Sequence, residues 1–214
     1  KVAEQDISKL PFMGCRKIDV GLISAHVARM SVTGEMGFEI NCRMGDHIAL
    51  RRLLLEAGAD EGIREVGFNA MLSTRIEKSF GIWSAEFTQD RTPGMTAMDR
   101  WIDWDKGDFI GRKAAMSERD GNGPSKVQVT LEIENGDADA SGYEPIWSEA
   151  GEMIGFVTSG AYGHTLQRSL AMGLIDPALA KPGTNVLVHV VGAERKAKII
   201  AASPYDPEGR AMRG

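Results

Sequence analysis

The hydrophobic and polar positions of residues 17–23 (Lys-Ile-Asp-Val-Gly-Leu-Ile) are strand-like in pattern. The same β-rich character returns in residues 26–32 (His-Val-Ala-Arg-Met-Ser-Val) and 38–42 (Phe-Glu-Ile-Asn-Cys), so three strands are predicted before residue 43. The period then changes. Leu50, Leu53, Leu54 and Ala57 recur at i, i+3, i+4 and i+7, which is one face of a helix. Asp46 is placed to cap that helix and Gly58 to stop it. Residues 62–67 read as an extended connector, and a second helix is predicted over 69–79 with Ala70, Leu72 and Ile76 facing inward. Asp108 is a candidate cap for a short helix over 109–117. Strands followed by helices imply an α+β arrangement, with helices covering one face of an antiparallel sheet.

The polar stretch at 117–125, with two glycines and one proline, is the clearest boundary. Beyond it short strands are predicted at 127–133, 157–162, 170–174 and 186–191. Turn residues punctuate them about every 8–12 residues, the spacing of a small barrel or sandwich. Two domains are therefore expected, an α+β domain over 1–118 and an all-β domain over 125–214.

Composition narrows the function classes. The 214 residues are 43% hydrophobic and 26% charged, with a formal net charge of −5. The cations are dispersed, which argues against a surface that tracks nucleic-acid phosphates. No apolar run approaches the ~18 residues of a membrane span, and no secretory leader pattern opens the chain. Cys15 and Cys42 lack metal-ligand spacing and read as free thiols in a reducing compartment, so a cytoplasmic protein is expected. The four histidines form no H-x-x-H or H-E-x-x-H pair, and no metal site is expected. Phosphate-loop, nucleophile-elbow and G-x-G-x-x-G patterns are absent, so no flavin or nicotinamide is expected on these residues alone. Because the chain opens with Lys1, in what reads as a charged helix or loop, a piece of something longer is expected.

Candidate chemistry centres on Thr33-Gly34-Glu35-Met36-Gly37-Phe38-Glu39. Gly34 and Gly37 suit a tight connection between strands that needs positive φ or close backbone approach. Glu35 stands at the bend with no cation between residues 31 and 42. It is either a solvated hairpin carboxylate or an acceptor for a planar pair of donors, such as the edge of a pterin or guanine-like ring. Arg75 and Glu77 lie two apart on a predicted helix, so one is expected to face the core or a ligand and the other solvent. Trp83 is either a packing residue or a stacking wall for a flat heterocycle. Tyr162, between Gly160 and Gly163, is divided in the same way.

In order along the chain, these segments resemble the glycine-cleavage T-protein (aminomethyltransferase) family, including the folate domains of dimethylglycine and sarcosine dehydrogenases. Residues 33–39 resemble its T-G-E-x-G-F-E signature. Thr74-Arg75-Ile76-Glu77-Lys78 is similar to L-R-L-E-K, and residues 105–112 to K-x-D-F-I-G-[KR]. Residues 155–163, 169–173 and 204–207 match its C-terminal barrel. The resemblance implies a ferredoxin-like antiparallel α+β domain followed by a small β-barrel. It also implies tetrahydrofolate as the cofactor and transfer of a one-carbon unit from a methylated amine or an aminomethyl donor. Glu35, with Gly34 and Gly37, would hold the pterin. Arg75 would donate to a carboxylate or orient Glu35, and Trp83 and Tyr162 would shape the pocket. The family's reaction-centre Asp would lie upstream of Lys1, leaving no catalytic residue in these 214. An N-terminal half, or a flavin-dependent oxidase domain, is the partner implied within a longer chain.

Departures sort the branches. Residues 92–100 lack the family's P-x-E-A-G-L, Val32 stands where aminomethyltransferases carry Tyr, and Met71 where they carry Arg. With Lys78 and Trp83 these favour the dehydrogenase branch. A folate-dependent O- or S-demethylase is a related alternative. A non-enzymatic folate protein of iron–sulfur maintenance is a second class. It would need a Cys where Asp108 stands. An inert docking scaffold is a third.

Overall fold

Two-residue loops join strands tightly when glycine occupies the first loop position. Gly21 does this with φ +58°, and Gly21-Leu22 turn β1 (Cys15–Val20) into β2 (Ile23–Ala28). The computed structural model describes residues 1–214. The hairpin moves the second strand three residues toward the N-terminus of its expected place, and Leu22 at the turn is fully exposed. A Cβ at residue 21 would also stand 2.8 Å from Leu53 Cδ2. Gly21→Ala is therefore expected to destabilise by about 1–2 kcal/mol, the scale of a left-handed non-glycine residue. Urea denaturation checks it, and an unchanged midpoint would mean that the turn relaxes.

β3 (Glu39–Asn41) adds to β2, giving an antiparallel three-stranded sheet in the order β1-β2-β3. Alternation puts Ile18, Val20, Ala25 and Val27 on one face. α1 (His47–Ala57) lays Leu50, flanked by Leu53 and Leu54, on that face. The helix follows its expected span, and the N–H of Gly58 closes it on Leu54 O at 3.0 Å. Asp46 makes no side-chain capping bond; it belongs instead to a 3-10 turn, Met44–Asp46, that leads into the helix. At the C-terminus α4 (Arg210–Arg213) is gathered in by Arg29, which donates to Leu10 O at 3.0 Å and to Arg213 O.

Residues 1–71 with 208–214 form one compact unit and residues 72–207 a second. The division falls inside α2 (Phe68–Glu77). The polar stretch expected as a boundary separates α3 (Arg112–Asp120) from the first strand of the barrel. α3 begins three residues later than expected because Gly111, at φ +89°, starts it in place of Asp108.

The barrel is closed. Its strands are β4 (Val127–Ile133), β5 (Pro145–Ser148), β6 (Met153–Gly163), β7 (Arg168–Ile175), β8 (Asn185–Val190) and β9 (Ala193–Ile200). They run in the order β4-β7-β6-β5-β8-β9, each antiparallel to its neighbours. Leu131, Ile146, Val157, Ala171, Ile175 and Val188 fill the interior. On β7 every residue from 169 to 175 is buried. Ala171 and Ile175 enter the barrel core, whereas Leu170 and Met172 pack with Ile76 of α2. A strand covered on both sides reads as a continuous apolar run, which is how Ser-Leu-Ala-Met-Gly-Leu-Ile looks. The protein is thus α+β, an antiparallel sheet with helices followed by a β-barrel. No helix is long and apolar enough to cross a membrane.

Candidate functional site

Residues 29–38 connect β2 to β3, so the segment expected as a tight turn is a longer loop. Its two glycines serve different needs. Gly34 takes φ +91°, and its N–H donates to Ser31 Oγ at 2.9 Å. Gly37 lies where an added Cβ would come within 3.1 Å of Met30 O, so the loop backbone folds closely on itself. Between them the chain turns Glu35 and Met36 outward, and both are exposed.

In the second unit the residues expected to carry chemistry occupy different environments. Arg75 is 2% exposed and its Nη1 lies 3.1 Å from Glu86 Oε2 and 3.0 Å from Phe80 O. The guanidinium is thus taken up inside the unit by a partner that the sequence reading did not name. Burial works against the charge and pulls the Arg75 pKa below its ordinary value, while the Glu86 carboxylate pulls it back up. Glu86 is fully buried and receives several donors. Ile82 N–H donates to Oε2 at 3.0 Å; Thr158 Oγ1 at 2.6 Å and Ser159 Oγ donate to Oε1. Both oxygens of this buried carboxylate thus have hydrogen-bond donors in place of water.

Glu77 and Arg75 were expected to divide between core and solvent, yet both are buried. The end of α2 is enclosed on two sides, which the two-residue spacing does not reveal. Glu77 Oε1 accepts the N–H groups of Thr165 and Leu166, each at 2.8 Å. Gly163 makes room for it, since a Cβ there would stand 2.9 Å from that same oxygen. Lys78 donates to Tyr205 O at 2.9 Å and Asp206 O at 2.6 Å. Ser79, at φ +54°, accepts from Thr130 Oγ1 and from Ser203 N–H. Arg75, Glu77, Lys78 and Ser79 therefore hold the C-terminal end of α2 within the second unit through polar side chains.

Trp83 is 72% exposed, a large apolar ring facing outward. Tyr162 is half-buried on β6; its carbonyl accepts from Ser73 Oγ at 2.6 Å, and its ring meets His164 edge-on at 5.1 Å. No group of three or more His, Cys, Asp or Glu side chains comes together to hold a metal ion. The sequence alone does not bring Glu86, Thr158 and Ser159 together with Arg75. The one signal for them was the need of a buried Arg for a counter-charge.

Residues 1–106 match the family model described as the GCVT N-terminal domain, and residues 126–206 match the glycine cleavage T-protein C-terminal barrel domain. The chain belongs to the glycine-cleavage T-protein family. Relatives include human mitochondrial dimethylglycine dehydrogenase, 33% identical over 94% of this chain and 23% of the relative. The aminomethyltransferase of Geobacillus sp. (strain WCH70) is 32% identical over 96% of this chain and 56% of the relative. Among solved structures, the glycine cleavage system aminomethyltransferase T of Bartonella henselae superposes with a TM-score of 0.82 at 27% identity, covering 94% of this chain and 55% of that one. The chain spans about half the length of the aminomethyltransferases and about a quarter of the dehydrogenase that it matches.

Proposed function

We propose that this T-protein family chain binds tetrahydrofolate and serves in transfer of a one-carbon unit from a methylated amine or an aminomethyl donor. The observation that carries the reading is Glu35, exposed on a loop whose shape Gly34 and Gly37 fix. Membership of a family whose relatives are named aminomethyltransferase and dimethylglycine dehydrogenase supports it.

The side chains fit the group. A pterin edge presents adjacent N–H and NH2 donors, which two carboxylate oxygens accept together. In the second unit, Trp83 and Tyr162 are aromatic surfaces of the kind on which a flat ring stacks. When bound, tetrahydrofolate supplies the nitrogen nucleophile that takes up the one-carbon unit. The protein's own part is to hold the pterin at Glu35, to orient it, and to keep water from the reacting carbon. Gly34 and Gly37 act through the loop, by letting the backbone carry Glu35 outward.

Calorimetry with tetrahydrofolate on the full-length protein tests this directly. Glu35→Ala is expected to weaken binding by about 2 kcal/mol, roughly thirtyfold in Kd, the scale for losing a charged hydrogen-bond partner. An unchanged Kd would remove Glu35 from the site. No binding by the unaltered protein would leave a scaffold role in its place.

A further inference from the structure

Trp83 is exposed, but the backbone that carries it is not loose. Ile82 O accepts the N–H groups of Glu86 and Phe87, each at 3.1 Å, and Ser84 N–H donates to Phe87 O at 3.0 Å. Ser84 holds φ +71°, a conformation that a non-glycine residue keeps only where its surroundings impose it. Gly81 is packed so closely that an added Cβ would stand 2.6 Å from the Phe87 ring and 2.9 Å from Glu86 Cβ. Arg91 donates to Ala85 O.

At the base of this loop sits Glu86. Its carboxylate reaches back to Ile82 N–H, the residue just before Trp83, while Arg75, Thr158 and Ser159 hold it from within the barrel unit. The carboxylate that answers buried Arg75 thus also anchors the backbone next to Trp83. A large flat ring on a pre-ordered loop gains contact area with a flat ligand while losing little conformational entropy.

We propose that Glu86 is a positioning residue: through Ile82 it fixes the loop that presents Trp83 to a flat heterocyclic ligand. This rests on the folate reading above, and it assigns a role in ligand binding to a residue that never reaches solvent.

The test is 19F NMR of the full-length protein labelled with 5-fluorotryptophan, read beside tetrahydrofolate calorimetry on the same samples. Trp83→Phe assigns the resonance, as the line that disappears. Glu86→Gln and Thr158→Val are expected to shift or broaden the Trp83 line and to raise Kd at least about tenfold, the scale on which positioning partners act. Thr158→Ser, which restores the hydroxyl, is expected to return both toward the wild-type values. The Thr158 pair carries the test if Glu86→Gln does not fold. A Trp83 line unmoved by loss of the Glu86 or Thr158 contact, with binding intact, would overturn the inference. So would a line that moves without any change in Kd. Absence of binding by the unaltered protein would instead overturn the folate reading, and the inference with it.

Discussion

Arg75→Leu is expected to destabilise the protein by about 3–5 kcal/mol, because it strands a buried carboxylate without its counter-charge. Arg75 and Glu86 are 2% and 0% exposed, so solvent cannot take over the missing cation. Thr158, Ser159 and the Ile82 N–H would still donate to Glu86, which places the loss toward the lower end of that range. Arg75→Leu/Glu86→Leu should recover much of the loss, since two apolar side chains replace a pair that must be desolvated. The hydroxyls of Thr158 and Ser159 then lose an acceptor, which keeps the recovery incomplete. Urea denaturation of the two singles and the double closes the cycle. A single-mutant loss below about 1 kcal/mol, the range of exposed pairs, would show that water reaches the carboxylate.

That pair also shows where the sequence stops being informative. α1 was legible because its apolar period and Gly58 are local signals, and both appear in the fold as read. The run on β7 was legible as a strand for the same reason, although burial on both faces had to await α2. β2 was displaced because residues 17–23 are strand-like throughout, and only the positive φ of Gly21 shows that the chain reverses inside the run. β5 is short and opens on a proline, so it left little pattern. β9 alternates buried Ala197 and Ile199 with exposed Lys196 and Lys198, a period-two signal carried by few large apolar residues.

Of the chemistry, the requirement for two glycines around Glu35 was visible in the residues themselves, since positive φ and backbone crowding are properties of glycine. Partners of Arg75 were not visible. Glu86 lies eleven residues on, beyond helical spacing, and Thr158 and Ser159 reach it only because β6 passes beneath the loop. Glu77 misled for a related reason: spacing on a helix assigns faces, but it does not say how many of those faces are covered.

The barrel offers the other large effect. Ile146 is fully buried on β5, the short strand that closes the ring between β6 and β8. Ile146→Ala is expected to cost about 2–5 kcal/mol, from lost apolar burial and the cavity left behind. Its size depends on how far neighbours collapse, and the surroundings are specific. A Cβ built on Gly173 would come within 2.8 Å of Ile146 Cδ1, so the glycine is small there because the isoleucine is large. Gly173→Ala alone is expected to destabilise by overpacking, about 1–3 kcal/mol. In Ile146→Ala/Gly173→Ala the new methyl enters space that the isoleucine vacated. The double mutant should then be more stable than the two single losses predict, with a coupling of about 0.5–3 kcal/mol. Phe156 O, 3.0 Å from the same Cβ, limits the recovery because it is backbone and gives way little. Thermal or urea unfolding of all four proteins measures the coupling. Strict additivity would mean that the Ile146 cavity closes from another side and that Gly173 is small for its contact with Phe156 O alone.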